Sequence, residues 1–168
     1  HTVTDIHSKT PLEGITVWKV GENLEPDPGT EQEIACDTLI LSVGLIPENE
    51  LSIDAGVELD PRTRGAVVDE NFQTSVPGIF AAGNVLHVHD LVDFVSMEAE
   101  SLADSAAAYI ENGGFASCGL LVKAGEGIGH TIPQKISGTK DITLSMRPSR
   151  QFKDAAVAVS QNGTVIAR

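Results

Sequence analysis

The segment Thr74–Val85, "TSVPGIFAAGNV", constrains the fold of this chain more than any other. Pro77-Gly78 predicts a tight turn, and Ile79–Ala82 predicts a short buried strand directly after it. Gly83 follows that strand, and a helical pattern begins a few residues later at Asp90. Small residues at such a junction let the backbone come close to a neighbour, which is either a bound ligand or another packed segment.

The segment from Asp90 to Ile110 has the period of an amphipathic helix. Its apolar residues fall near one stripe, and "ENGG" (Glu111–Gly114) supplies glycines that end a helix. Glu98 and Glu100 lie mainly off the stripe, so they are predicted to face solvent.

Upstream segments predict strands of a sheet. "GITVWKV" (Gly14–Val20) predicts a hairpin strand, and a polar loop, "GENLEPDPGTEQE", follows it. The nearly continuous apolar run Thr38–Val43 is typical of a strand covered on both faces, as in a parallel sheet. Ala66–Val68 predicts a further short strand.

The remainder of the chain, after Ser117, predicts short β segments separated by glycine and proline. "QNGT" near the end is a strong hairpin signal between alternating apolar runs. "GEGIG" (Gly125–Gly129) has glycines but no strand–turn–helix context, so it predicts a turn. The fold class is therefore α/β, with parallel-sheet strands and one long helix, followed by a small all-β tail.

Composition excludes several classes of function. The net charge is −13 with 11 scattered lysines and arginines, which argues against nucleic acid as a partner. No apolar run approaches the length of a membrane span, and no signal peptide is evident at the start. Cys36 and Cys118 form no C-x-x-C pair, and the expected setting is the reducing cytoplasm.

Two motifs resemble one enzyme superfamily. "TSVPGIFAAGNV" resembles the second flavin-binding motif of the FAD-dependent pyridine nucleotide–disulfide oxidoreductases, and "LILSVGLIPENEL" (Leu39–Leu51) resembles the strand that closes their NAD-binding domain. The β tail is similar to that of the NAD(FAD)-dependent dehydrogenases associated with anaerobic glycerol-3-phosphate dehydrogenase. The resemblance implies the C-terminal portion of a flavoprotein with two dinucleotide-binding domains.

That resemblance also implies domain bounds. Residues 1–47 would end the NAD-binding domain with a hairpin and a closing strand. Residues 48–115 would end the FAD-binding domain, and residues 116–168 would form the C-terminal β extension. The cofactors implied are FAD and, in the whole protein, NAD(P).

The resemblance places a cofactor site at the junction and at the helix start. Gly83 would let the backbone approach the ribityl chain of FAD, and Asn84 takes the position of the family's Asp. Backbone N–H groups at the first turn of the helix would face the flavin. The residues implied in cofactor binding are Ala82, Gly83, Asn84, Val85, Asp93, Phe94 and Val95. The chain departs from the family pattern at Asn84, and at Val92-Asp93 where a basic residue and Gln are usual; Asp93 is expected to point away from the flavin.

The 168 residues contain no G-x-G-x-x-G motif for either dinucleotide. The chain, which begins without Met, is expected to be a piece of a longer enzyme and to be inactive alone. The function predicted for that enzyme is hydride or electron transfer between NAD(P)H, FAD and a small substrate or further acceptor. A non-catalytic module that docks a partner subunit and a degenerate domain that binds no cofactor stay as alternatives, and a homodimer is left open.

His87 and His89 are the remaining candidates for chemistry. His-x-His-Asp in a loop without further paired ligands argues against a metal, so no metal site is predicted. Near a flavin these histidines would contact substrate or tune the flavin potential. No catalytic residue is assigned from the sequence.

Overall fold

The computed structural model describes residues 1–8, 10–21 and 23–168, and Glu22 of the predicted polar loop lies outside them. The chain divides into two compact units, His1–Gly44 and Leu45–Arg168. Among the described residues no helix is long and apolar enough to cross a membrane. The three-part division expected from the sequence stays a prediction.

The first unit is a three-stranded antiparallel sheet in the order β1-β2-β3. Its strands are β1 (Thr2–His7), β2 (Gly14–Trp18) and β3 (Gln32–Ala35). Central β2 pairs Ile15 with Ile6 on one side and with Ile34 on the other. The hairpin strand predicted at Gly14–Val20 is therefore present, although it ends at Trp18.

The predicted strand at Thr38–Val43 is wrong for this structure. Residues 38–43 adopt no regular secondary structure, and Ile40 and Val43 are 88% and 85% exposed. A strand needs a neighbouring strand to pair its N–H and C=O groups, and none of the described residues supplies one here. An apolar run indicates that a segment can be buried, but it does not identify the partner.

The second unit has its core between residues 57 and 86, with one contribution from the tail. The buried apolar side chains are those of Val57, Ala66, Val68, Ala81, Leu86 and Ile132. Ala66–Val68, predicted as a short strand, is buried but forms only isolated bridges, since Ala66 pairs with Leu59 and Val68 with Thr74. The β tail is thus part of the same core through Ile132.

The predicted buried strand at Ile79–Ala82 is reduced to one bridge residue, Phe80, which follows a turn at Pro77-Gly78. Ile79 donates its N–H to the carbonyl of Val76 across 3.1 Å, and Gly78 between them has φ +82°. Pro followed by a residue with positive φ is the signature of a type II turn. Phe80 makes a single bridge to Gln73, so the predicted turn is present without the buried strand.

The strands of the second unit form antiparallel pairs. They are β4 (Leu120–Leu121), β5 (Ile128–Ile132), β6 (Lys135–Ile136), β7 (Ser145–Pro148), β8 (Val159–Gln161) and β9 (Thr164–Ala167). They pair as β4-β6, β5-β7 and β8-β9. The predicted hairpin at "QNGT" is confirmed, with Asn162 and Gly163 at positive φ, and "GEGIG" holds a turn at Glu126-Gly127 before β5 begins. The predicted parallel sheet does not appear among the named strands of the described residues.

Two α-helices complete the second unit, α1 (Glu50–Asp54) and α2 (Val92–Asn112). Helix α2 has 21 residues and begins two residues later than predicted. It ends at Gly113, which takes the left-handed conformation with φ +73° and donates its N–H to Tyr109. A short 3-10 turn, Gly83–Val85, precedes the helix.

Candidate functional site

The Gly83 junction owes its shape to two glycines. Gly83 has φ +71°, a conformation that side chains other than glycine rarely adopt, and a Cβ there would lie 3.2 Å from the Val95 side chain of α2. A Cβ on Gly65 would lie 1.7 Å from the carbonyl oxygen of Leu86. The backbone after Gly83 is therefore held between α2 and the 65–68 segment.

Glu98 fixes the junction to α2. One of its carboxylate oxygens, Oε2, accepts the backbone N–H of Gly83 at 2.5 Å, and the other, Oε1, faces two histidines. The side chain is 8% exposed. The prediction that Glu98 faces solvent is wrong, because the packed stripe of α2 runs through Val95 and Leu102, and position 98 lies between them on the same face.

His87 and His89 converge on Glu98 from the loop that follows the 3-10 turn. Their Nε2 atoms lie 3.1 Å and 3.5 Å from Oε1 of Glu98, and their ring centroids are 4.0 Å apart. The two histidine side chains are only 10% and 7% exposed. A third imidazole, that of His130 on β5, lies 5.3 Å from His87 between ring centroids. We name His87, His89 and Glu98 the His–His–Glu cluster.

Asn84 shapes the loop that carries these histidines. Its Oδ1 accepts the backbone N–H of His89 at 3.1 Å. This bond closes the loop between residues 84 and 89 and directs both imidazoles toward α2. The Asn84 residue itself is exposed.

The environment sets the charge state of the cluster. Burial raises the pKa of Glu98, but hydrogen bonds from His87 and from the Gly83 N–H, with the charges of both histidines, outweigh burial and leave the pKa below its ordinary value. Burial, with the positive charges of His87 and Arg147, lowers the pKa of His130. Glu98 is therefore ionised near neutral pH.

A cavity of about 660 Å³ opens beside the cluster. Its wall includes all three cluster side chains, His130 and, from α2, Phe94 and Met97. Arg147 on β7 borders the same space and contacts Asp90 at 2.5 Å. The volume is sufficient for a small organic ligand.

The start of α2 is open to solvent. Its N-cap residue, Leu91, has φ −130° and makes no side-chain capping hydrogen bond. Leu91, Val92 and Phe94 are 57%, 74% and 54% exposed. The first-turn N–H groups, which carry the positive end of the helix dipole, are thus framed by exposed apolar side chains.

The structure places the predicted cofactor residues in two groups. Ala82, Gly83, Asn84 and Val85 form the junction, and Asp93, Phe94 and Val95 form the first turn of α2. Asp93 is exposed and is not part of the cavity wall, whereas Val95 packs against Gly83. Sequence reasoning missed Glu98 and His130; the helical position of Glu98 was the available signal.

The two cysteines are free and half-buried. Burial, with the charges of Asp69 and Glu70, raises the pKa of the Cys118 thiol. Its Sγ lies 3.9 Å from Oδ2 of Asp69. Because a raised pKa leaves less of the thiol as thiolate, Cys118 is a poor nucleophile. This agrees with the absence of a C-x-x-C redox motif from the sequence.

Comparison with known proteins identifies a family that this chain matches. Residues 5–108 match the model of the family "Pyridine nucleotide-disulphide oxidoreductase". The crystal structure of T. acidophilum thioredoxin reductase is similar with a TM-score of 0.50 and 30% sequence identity, over 65% of this chain and 34% of that chain.

Curated relatives are oxidoreductases. Mitochondrial dihydrolipoyl dehydrogenase of Caenorhabditis elegans is 48% identical over 59 residues, 34% of this chain and 12% of that protein. The nitric oxide reductase FlRd-NAD(+) reductase of Klebsiella pneumoniae is 33% identical over 84 residues, 50% of this chain and 21% of that protein. Ferredoxin–NADP reductase of Leuconostoc mesenteroides is 31% identical over 84 residues, 47% of this chain and 24% of that protein. The chain matches a quarter or less of the length of each of these relatives.

Proposed function

The chain belongs to the pyridine nucleotide-disulphide oxidoreductase family, and on that premise we propose that it supplies the flavin-contacting junction of an FAD-dependent enzyme. The enzyme transfers hydride or electrons between NAD(P)H, FAD and a small substrate or further acceptor. The observation that carries this proposal is the uncapped, exposed start of α2 next to the Gly83 junction.

The local chemistry fits an FAD ring. Free N–H groups at a helix start stabilise negative charge on a ligand, while Leu91, Val92 and Phe94 offer apolar surface to a flat ring. Gly83 and Ala82 add little side-chain bulk nearby. When bound, FAD supplies the redox chemistry, and the protein supplies binding, orientation and electrostatics.

Individual residues have separate tasks in this proposal. The N–H groups of the first turn of α2 hold the flavin edge, Asn84 presents its amide nitrogen to the ligand, and Glu98 holds Gly83 in place. Asp93 stays in solvent, where its charge is screened. Membership of the subgroup associated with anaerobic glycerol-3-phosphate dehydrogenase is part of this proposal and rests on the resemblance of the β tail.

The 168 residues alone are proposed to bind FAD weakly and to turn over no substrate. They contain no G-x-G-x-x-G motif for the pyrophosphate of either dinucleotide. The proposal is therefore tested on the natural protein that contains these residues.

Substitution at Val92 tests the contact at the helix start. Val92 is the first helical residue, and Leu91 before it has the extended backbone that a proline requires of its predecessor. Val92→Pro removes one N–H without breaking the helix, whereas Val92→Ala keeps that N–H and removes the side chain. We expect Val92→Pro to weaken FAD binding by about tenfold relative to Val92→Ala, as the loss of one hydrogen bond to a charged group predicts.

The measurement is the FAD dissociation constant from flavin fluorescence, together with helix content from circular dichroism. Equal dissociation constants for Val92→Pro and Val92→Ala would contradict the contact. A natural protein that takes up no FAD at all would favour the degenerate domain. Tight capture of a partner subunit by the FAD-free protein would favour the docking module.

A further inference from the structure

The proposed flavin contact leaves two members of the His–His–Glu cluster, His87 and His89, without a role. Three potential ligand atoms, one each from His87, His89 and Glu98, lie within 4.8 Å of one another. All three side chains are at least nine-tenths buried. We propose that they bind one divalent transition-metal ion at the edge of the cavity; none of the three side chains is itself a proposed FAD contact.

The distances suit such an ion. The Nε2 atoms lie 3.1 Å and 3.5 Å from Oε1 of Glu98. Two ligands of a tetrahedral Zn²⁺ with bonds of about 2.0 Å lie about 3.3 Å apart. Each histidine therefore stands at about this separation from Glu98, and all three ligand atoms lie within 4.8 Å of one another.

The hydrogen bonding of His89 also supports a bound metal ion. Its Nδ1 is buried and has no hydrogen-bond partner among the described residues. Its Nε2, at 3.5 Å from the carboxylate, is beyond the usual length of an N–H···O bond. A buried imidazole nitrogen without a good partner costs free energy, and an ion bound at Nε2 would replace this long contact, while Nδ1 would stay as it is.

A hydrogen bond to the second carboxylate oxygen of Glu98 orients this side chain as a metal ligand. Metal-binding carboxylates are themselves hydrogen-bonded, which fixes their orientation. Here Oε2 accepts the Gly83 N–H at 2.5 Å and leaves Oε1 directed at the histidines. The 3-10 turn thus acts as the outer support of the site.

The ligand set selects the class of metal. Two imidazoles and one carboxylate suit Zn²⁺ and related first-row ions, whereas Mg²⁺ and Ca²⁺ prefer oxygen ligands alone. Three protein ligands leave at least one coordination position for a water or a substrate atom. All three residues line the cavity of about 660 Å³, which gives the ion an entry path.

The test is a Zn²⁺ titration of the 168-residue chain, after treatment with a chelator, against a competing chromophoric chelator. We expect one Zn²⁺ per chain and no comparable binding of Mg²⁺. His89→Gln and Glu98→Gln should weaken Zn²⁺ binding by more than about 100-fold, the upper range for loss of an outer-shell partner. Their matched controls are His7→Gln on β1 and Glu100→Gln two residues further along α2, which should bind Zn²⁺ like the unmodified chain.

Folding is checked separately by the midpoint of thermal unfolding without metal. Zn²⁺ should raise that midpoint for the unmodified chain and the controls but not for the cluster variants. No Zn²⁺ binding by the folded chain would overturn the proposal. Binding that survives both cluster substitutions, or that Mg²⁺ reproduces, would also overturn it, because the ion would then lie elsewhere.

Discussion

The carboxylate of Glu98 joins two parts of the molecule by accepting the backbone N–H of Gly83 at 2.5 Å. Gly83 begins the 3-10 turn, and Glu98 lies in the second turn of α2. The bond therefore sets the position of the glycine junction relative to the helix start. Both the proposed flavin contact and the proposed metal site depend on this one pairing.

Removal of the Glu98 side chain should destabilise the chain. Glu98→Ala leaves the Gly83 N–H without its acceptor and both histidines without their buried partner, so we expect a loss of about 1–3 kcal/mol in the free energy of unfolding. Urea denaturation in the presence of a chelator measures it. The exposed Glu100→Ala should change the same quantity by less than about 0.5 kcal/mol. Equal effects of the two substitutions would contradict the contact.

A methyl group at Gly65 should disturb the core below the junction. The Cβ of Gly65→Ala would lie 1.7 Å from the carbonyl oxygen of Leu86, so the backbone must shift. Overpacking of this kind costs about 1–3 kcal/mol. Gly119→Ala is the control, because a Cβ there meets nothing within 4 Å. Denaturation midpoints that are the same for both variants would show that residues 65 and 86 do not approach so closely.

Glu70 should make stability depend on pH in the acid range. Burial raises its pKa, but two hydrogen bonds of 2.7 Å from Ser137 and the charge of Lys140 outweigh burial and hold the pKa below its ordinary value. A depressed folded-state pKa stabilises the fold above the ordinary pKa, and this contribution is lost as pH falls through the folded-state value.

The stability difference between the unmodified chain and Glu70→Gln measures that contribution. We expect a gap of about 1 kcal/mol near neutral pH that closes as pH falls from about 6 to about 3. Glu126→Gln, in an exposed turn, controls for the loss of one acidic group. A gap that is constant over this pH range would contradict the assignment.

Asp93 should influence the flavin potential in the whole enzyme. It is the acidic residue in the first turn of α2, and its negative charge opposes the gain of charge by a flavin at the helix start. Asp93→Asn should raise the reduction potential of bound FAD by roughly 10–20 mV, a small change because the residue is exposed. Redox titration against a reference dye measures the shift, with Glu100→Gln as the control. A lowered potential would contradict the proposed position of the flavin.

Local signals in the sequence predicted the turns and the helix well. Pro77-Gly78, the helix end at Gly113 and the hairpin at Asn162-Gly163 each follow from the φ angles that these residues adopt. Such preferences act over a few residues, so neighbouring residues suffice to read them.

The pairing of strands and the convergence of distant side chains were harder to predict from the sequence. The apolar run at 38–43 indicates burial but not a partner strand, and it lies exposed in this structure. The His–His–Glu cluster joins a loop to a helix, and His130 approaches from β5, 43 residues beyond His87. Each residue type is visible in the sequence, whereas only the tertiary fold brings these side chains together. The burial of Glu98 was the easiest of these features to predict, since Val95 and Leu102 place it on the packed face of α2.

We propose above all that this junction belongs to an active FAD-dependent enzyme. The most direct test is the visible absorbance spectrum of the natural protein that contains these residues, purified without added cofactor and then mixed with NADH or NADPH in the absence of oxygen. We expect the two absorbance bands of oxidised flavin, and bleaching of the longer-wavelength band when the reduced nucleotide is added. A protein that is colourless, and that stays colourless after incubation with FAD, would contradict the claim.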